Sequence, residues 1–271
     1  MRRKIARHDR ASPENAPGRP GAWRMVREVL VILFGALLYF WVRGLMETRT
    51  GIAFANAEKL VALEQRLGIF REPWLQSRIA ASDSMVTLAN RIYIFGHWPL
   101  IIGTMTWLLW RYSERFALYR TALLVSGAIG LLFFVMLPMA PPRFLPEWGF
   151  VDTVSHRSGA YRALQPPAFT NQYAAMPSLH VGWNLLMGIA IFRHARSGVG
   201  RLFGLLTPPV MYFSTILTAN HYVLDGIVGA MAGLIGLAIS WAMSRSDWPH
   251  SGRGARVARH LRFRRLVLRP P

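Results

Sequence analysis

Apolar runs separated by short charged segments make up most of this 271-residue chain. A helix needs about 20 mainly apolar residues to cross the hydrocarbon core of a bilayer. Runs that approach or exceed that length lie at about residues 29–45, 85–110, 117–137, 177–192, 202–219 and 221–243. The pattern predicts an all-α fold, a polytopic membrane helix bundle with about six transmembrane helices.

Residues 53–70 differ from these runs because charged side chains alternate with the apolar ones. The charged residues are Glu58, Lys59, Glu64 and Arg66. This spacing predicts an amphipathic helix with one wet face. Such a helix can lie at the membrane surface or pack on the bundle as a solvated cap.

Proline and glycine predict how the last two helices pack. Pro208 and Pro209 fall inside the fifth run, where they should kink the helix or split off its first turn. The sixth run contains four glycines that allow close helix packing. They are Gly226, Gly229, Gly233 and Gly236.

Polar segments flank the predicted membrane domain, which covers residues 29–243. Residues 1–28 hold eight basic and three acidic residues with several Pro and Gly, which predicts a disordered tail. Residues 244–271 form a second basic tail. No small-residue cleavage site follows the first run, so we expect no cleavable signal peptide. The Pro- and Gly-rich segment 138–176 is long enough to favour a functional role.

The formal net charge of +19 comes almost entirely from arginine. A balance this basic can indicate nucleic-acid binding. Here, however, the charge is confined to the ends and short loops of an apolar chain, so we expect a membrane and no nucleic acid as partner. The chain has no cysteine, which excludes disulfides and thiolate metal sites.

The charged segments also predict the orientation of the bundle. Residues 1–28, 111–120, 193–201 and 244–271 carry +5, +2, +3 and +7, whereas residues 46–84 and 139–178 carry 0 and +1. Basic loops stay in the cytoplasm. We therefore predict a multi-pass protein of the plasma membrane with both termini cytoplasmic, and the segment 139–178 on the outer face.

Two histidines next to apolar runs are the strongest candidates for chemistry. His180 follows Met176-Pro177-Ser178-Leu179, where Pro177 predicts a helix start. His221 and Asp225 are four residues apart, so on a helix they share a face and can hydrogen-bond. A carboxylate bonded to one imidazole nitrogen makes the other nitrogen the better base or nucleophile. Ionisable groups at membrane depth are costly and tend to mark function.

Two further polar residues lie in the second run. Asn90 and His97 are seven residues apart and share a helix face. We expect His97 to be a structural hydrogen-bonder. Arg91 is an additional candidate for contact with a phosphate.

The sequences Met176-Pro177-Ser178-Leu179-His180 and His221-Tyr222-x-x-Asp225 resemble the second and third motifs of the type 2 phosphatidic acid phosphatase superfamily. Arg143, in Pro141-Pro142-Arg143, stands where the first motif ends in an arginine. Pro-Ser-Leu-His is closer to the inositol phosphorylceramide synthase-like branch than the Pro-Ser-Gly-His usual in the phosphatases. The chain departs from the phosphatases in having Met136 and Thr215 where they carry a lysine and an arginine.

This resemblance implies an enzyme that transfers phosphate through phosphohistidine without a cofactor or metal. His221 would attack phosphorus, Asp225 would orient it and stabilise its charge, and His180 would protonate the leaving group. Arg143, Ser178 and the amides opening the fourth helix would bind phosphate oxygens. The predicted orientation places all five of these side chains at the outer face.

Several alternatives remain open at this level. The substrate implied is a lipid-linked phosphate. Water as acceptor would make the enzyme a phosphohydrolase, and a polyol such as inositol would make it a phosphotransferase, the branch that the missing lysine and arginine favour. Two His and one Asp can also ligate zinc, although the family pattern disfavours it. A non-catalytic six-span transporter or scaffold would instead place its polar residues near the midplane.

Overall fold

The computed structural model describes residues 22–44, 49–154 and 171–246, and these are almost entirely helical, which confirms the all-α prediction. In chain order the helices are α1 Ala22–Gly44, α2 Thr50–Arg66, α3 Glu72–Ala80, α4 Asp83–Phe95, α5 Trp98–Arg111, α6 Ser113–Met136, α7 Leu179–His194, α8 Gly198–Leu217 and α9 Val223–Ser246. Two 3-10 turns, Pro142–Phe144 and Pro146–Trp148, follow α6. Most of the two predicted tails, and part of the loop before α7, fall outside the described residues.

Two helices of the described parts, α6 and α9, are long and apolar enough to cross a membrane. Helices α4 and α5 meet that criterion together but are bent by 44°. This supports two or three membrane-crossing segments, and the predicted total of six is not confirmed. Helix α7 has 16 residues, fewer than the roughly 20 that a bilayer core requires.

The second predicted span is wrong as a single helix. Gly96 and His97 separate α4 from α5, and the amide of Gly96 closes the last turn of α4 on the carbonyl of Ile92. Pro99 then stands in the first turn of α5, where its missing N–H is not needed. One helix therefore ends at Phe95 and the next begins at Trp98, with Gly96 and His97 as the capping residues between them.

Helix α7 lies at the centre, packed against α5, α6, α8 and α9. Glycines bring α7 and α9 together, as predicted: a Cβ on Gly229 would lie 2.1 Å from the carbonyl oxygen of Ser178. A Cβ on Gly233 would lie 2.8 Å from the oxygen of Gly182. The backbones of the two helices therefore touch directly beside the two histidine motifs.

Helix α8 continues through Pro208 and Pro209, so the predicted split of its first turn is wrong. Gly188 of α7 leaves room for the proline ring, since a Cβ there would lie 2.7 Å from Cγ of Pro208. The absence of a side chain at Gly188 therefore makes room beside α7 for the proline of α8.

Helix α2 packs on the loops that follow α6 and precede α7 and α9. Ala53, Ala57, Leu60 and Val61 are buried in one cluster with loop residues such as Tyr222. Glu64 is also fully buried, so its predicted place on a wet face is wrong. The helix therefore covers the segments that carry the histidine motifs.

Candidate active site

Three segments meet under α2 and carry the motif residues. The 3-10 turn at Arg143 binds the turn before α9, since the amide of Arg143 donates to the carbonyl of Ala219 (2.8 Å). The segment before α7 joins them, because the amide of Ser178 donates to the carbonyl of Asp225 (2.9 Å). Residues that are distant in sequence are thereby held in one cluster by backbone hydrogen bonds.

His221 lies just before α9, not on it as predicted, and its ring is held from two sides. Its Nδ1 is 2.8 Å from the carbonyl oxygen of Ala175 and 3.5 Å from Oδ2 of Asp225. A carbonyl oxygen only accepts hydrogen bonds, so Nδ1 must carry the proton. The lone pair of the neutral ring is then on Nε2, the nitrogen suited to act as a nucleophile.

Asp225 is fully buried in the first turn of α9. Its Oδ2 accepts from the amide of Tyr222 (2.9 Å), which closes the turn that contains His221. The same oxygen faces Nδ1 of His221, so the carboxylate can stabilise positive charge on that ring. The predicted pairing of these two residues is present, although a turn and not a helix face creates it.

His180 stands in the first turn of α7 inside a stack of aromatic rings. Its centroid is 4.5 Å from that of Tyr93, 4.3 Å from that of His97 and 5.8 Å from that of His221. His97 stacks in turn on Trp183, with centroids 5.7 Å apart. The two motif histidines therefore come together, and His180 is the partly exposed one.

Arg143 is anchored beside His221. Its Nη1 donates to Oδ1 of Asn220, and its Nε lies 3.9 Å from Oδ2 of Asp152. The guanidinium also lies 4.7 Å from the ring centroid of Phe144. These contacts fix a planar cation next to the candidate nucleophile, where it is able to meet phosphate oxygens.

Ser178 is the N-cap of α7, and Pro177 precedes it, so the predicted first helical position of Pro177 is wrong. The side chain of Ser178 is fully buried, makes no capping hydrogen bond, and its Oγ has no partner within the described residues. A helix N-terminus offers unpaired N–H groups and a positive dipole end. A buried hydroxyl without a partner at that end suits an anion.

The amides at the start of α9, in contrast to Oγ of Ser178, have carboxyl groups as hydrogen-bond partners. Oε1 of Glu72 accepts from the amide of Val223 (2.9 Å), and Oε1 of Glu64 accepts from the amide of Leu224 (2.7 Å). With Asp225 on Tyr222, three carboxyl groups cap the helix that follows His221. Burial, and then the neighbouring Glu72 carboxyl, raise the pKa of Glu64 to about 10, so Glu64 holds a proton at neutral pH.

The two additional candidates, Arg91 and His97, lie in different environments. Nδ1 of His97 lies 2.9 Å from Nδ2 of Asn184, which also donates to the carbonyl of His180 (2.7 Å). His97 is thus a buried hydrogen-bonder that supports the backbone at His180. Arg91 is exposed on α4, next to Asn90, which is buried and bonded to Thr153.

Within residues 22–44, 49–154 and 171–246, no group of three His, Asp or Glu side chains is arranged to hold a metal.

An apolar groove of about 600 Å³ runs between α4, α5, α7 and α8. Its walls include Ile92, Gly103, Trp107, Ile191, Phe203 and Val210. Asn184 also lines it, and this residue contacts both His97 and His180. Asn184 therefore connects the wall of the groove to the histidine stack through hydrogen bonds.

Some site residues carry no signal that sequence reasoning could use. The carbonyl of Ala175 is a backbone group, so residue type does not reveal it. Glu64 and Glu72 look like ordinary surface charges in a mixed segment. Asn220 could have been found, because a polar residue directly before a motif histidine is a natural candidate.

The family model described as PAP2 superfamily matches residues 58–239. No curated protein and no solved structure matches the chain. The matched range contains both histidine motifs, Arg143 and the two capping glutamates.

Proposed function

Because this chain belongs to the PAP2 superfamily, we propose that it is an integral-membrane enzyme acting on lipid-linked phosphate esters through a phosphohistidine. The observation that carries the proposal is the orientation of His221. Its Nδ1–H is bonded to the carbonyl of Ala175 and faces Asp225, which leaves Nε2 as the attacking atom.

The reaction proceeds in two displacements. Nε2 of His221 attacks phosphorus, the bond from phosphorus to the leaving oxygen breaks, and protonated His180 gives its proton to that oxygen. The acceptor then attacks phosphorus, returns a proton to His180, and the phosphorus–nitrogen bond breaks. Arg143, Ser178 and the amides at the start of α7 bind the phosphate oxygens, where charge accumulates in the transition state.

The groove supports a lipid as the substrate. The walls of the groove are almost all apolar, so the hydrocarbon part of a lipid-linked phosphate is able to lie in it. Its volume of about 600 Å³ lies within the roughly 300–1,000 Å³ of ligand sites. The loop charges support placing this site at the outer face of the plasma membrane.

Water or an alcohol completes the second displacement. Water gives a phosphohydrolase, and a polyol such as inositol gives a phosphotransferase. Thr215 stands where the phosphatases carry an arginine; it is fully buried and its Oγ1 donates to the carbonyl of Tyr212 (2.7 Å). This position therefore offers no cation to the phosphate, which favours the transferase branch.

The test is a screen of the purified protein against lipid phosphates, prenyl diphosphates and phosphoinositides, each with and without polyols. We expect turnover that vanadate inhibits, that EDTA leaves unchanged and that His221→Ala abolishes. Transfer to a polyol in preference to water would identify the transferase. Activity that EDTA removes and zinc restores would contradict the phosphohistidine mechanism.

A further inference from the structure

Two buried glutamates that are distant in sequence from α9 accept hydrogen bonds from the amides at its start. Glu64 lies in the last turn of α2 and Glu72 begins α3, and they accept hydrogen bonds from the amides of Leu224 and Val223, 160 and 151 residues away. Both side chains are fully buried. Burying two carboxyl groups side by side is costly, so their position beside the histidine motif calls for a function.

The hydrogen bonds distinguish the two residues. Glu72 uses both oxygens as acceptors, Oε1 for the amide of Val223 and Oε2 for the amide of Arg71 (2.8 Å). Glu64 uses only Oε1, and its Oε2 accepts no hydrogen bond from the described residues. A single proton is therefore accommodated on Oε2 of Glu64, from which it is able to bond to Glu72.

We propose that Glu64 and Glu72 are positioning residues for His221, acting as a carboxylic acid paired with a carboxylate that clamps the start of α9. Asp225 fixes the amide of Tyr222, and the glutamates fix the next two amides in order. The turn before them carries His221, and the carbonyl of Asp225 receives the amide of Ser178. Holding α9 therefore sets His221 relative to α7.

The kinetic part of this inference rests on the proposed function, and the structural part does not. Neither glutamate touches the phosphate in the proposed mechanism. Their loss should thus lower kcat by displacing His221, with little effect on KM.

The two positions respond differently to glutamine. The substitution Glu64→Gln keeps the acceptor for Leu224 and presents an N–H₂ donor where the protonated acid presents O–H. The substitution Glu72→Gln leaves one acceptor oxygen for two amides, so one of those amides faces an N–H₂ group. Glu64→Gln should therefore be tolerated, and Glu72→Gln should not.

The experiment measures hydrogen exchange of the peptide covering residues 219–226 in detergent-purified protein, together with hydrolysis of p-nitrophenyl phosphate. For Glu72→Gln we expect exchange at least about fivefold faster, because a buried hydrogen bond is lost. The kcat should fall at least about tenfold, since a small misplacement of a reacting group is costly. Glu64→Gln should match the unsubstituted protein in both, and Glu64→Ala should resemble Glu72→Gln.

Gel filtration and thermal unfolding identify the folded variants. If Glu72→Gln is not recovered folded, the contrast between Glu64→Gln and Glu64→Ala still decides. Equal effects of glutamine at both positions, or normal exchange and kcat in Glu64→Ala, would overturn the positioning role. An unsubstituted protein that turns over neither p-nitrophenyl phosphate nor any substrate of the lipid-phosphate screen, combined with the expected exchange contrast, would refute the proposed function and leave the clamp standing.

Discussion

At the scale of single residues, the two motif histidines are held in different ways. His221 is fixed through Nδ1 by a carbonyl oxygen and a carboxylate, both of which are buried. His180 is held by ring stacking and remains partly exposed. A fixed ring suits covalent attack, and an accessible ring suits exchange of protons with the acceptor.

This division predicts different substrate dependence for the two histidines. If His180 protonates the leaving group, His180→Ala should reduce turnover of an alkyl phosphate far more than turnover of p-nitrophenyl phosphate, which needs no proton. One pKa unit corresponds to about 1.4 kcal/mol, so we expect the difference to exceed about tenfold. His221→Ala should be inactive on both substrates. Equal losses for His180→Ala on the two substrates would assign it to phosphate binding instead.

The protonated state of Glu64 predicts how stability depends on pH. Its pKa of about 10 in the fold exceeds the 4.5 of the unfolded chain, so folding takes up a proton between these values. Because of this residue, the free energy of unfolding falls as the pH rises, by at most about 1.4 kcal/mol per pH unit. The titratable groups that face it are Glu72, Asp225, Tyr212 and Tyr222.

Glu64→Gln removes this dependence and keeps the acceptor. We expect the variant to unfold at a higher temperature than the unsubstituted protein at pH 9, with a smaller difference at pH 6. Thermal unfolding in one detergent across that pH range measures it. A difference that stays constant between pH 6 and pH 9 would show that Glu64 is ionised in the fold.

At the scale of helices, the contact between α7 and α9 aligns the two histidines. Gly229 of α9 meets the backbone of Ser178, the residue that begins α7. A methyl group there would force the two helices apart, and His180 and His221 would separate with them.

We therefore expect Gly229→Ala to lose roughly 1–3 kcal/mol of stability and about a hundredfold in kcat. Gly51→Ala in α2 is the matched control, because a Cβ at that position meets nothing within 4 Å. Thermal unfolding and p-nitrophenyl phosphate hydrolysis measure both variants. Normal kcat in Gly229→Ala would mean that the helix contact does not set the histidine spacing.

The sequence predicts these helices well where apolar runs are continuous and poorly where partners are distant. Hydropathy locates α6 and α9 to within a few residues, and the spacing of His221 and Asp225 correctly pairs them. It misses the break at Gly96 and His97, because these two residues lie within an otherwise apolar run that is long enough to form one helix. It also misplaces Glu64, because that burial depends on an amide 160 residues away.

At the scale of the whole molecule, the loop charges predict that the site faces outward. The chain has no cysteine, so single substitutions give clean labels. Glu147, beside the site, and Arg196, between α7 and α8, are both exposed. In intact cells a membrane-impermeant maleimide should label Glu147→Cys, and Arg196→Cys only after permeabilisation. The reverse pattern would place the site in the cytosol.

The contacts of α2 and α3 with α9 also bear on how the molecule is made. The ribosome releases Glu64 and Glu72 long before Val223 and Leu224, so neither glutamate has its amide partner until α9 is made. The amide of Arg143 likewise gains its acceptor only when Ala219 has been made. His221 is therefore positioned only after residues 219–224 have been made. In terms of the proposed function, a chain that still lacks α9 has no assembled site with which to act on lipid phosphates of the membrane that receives it.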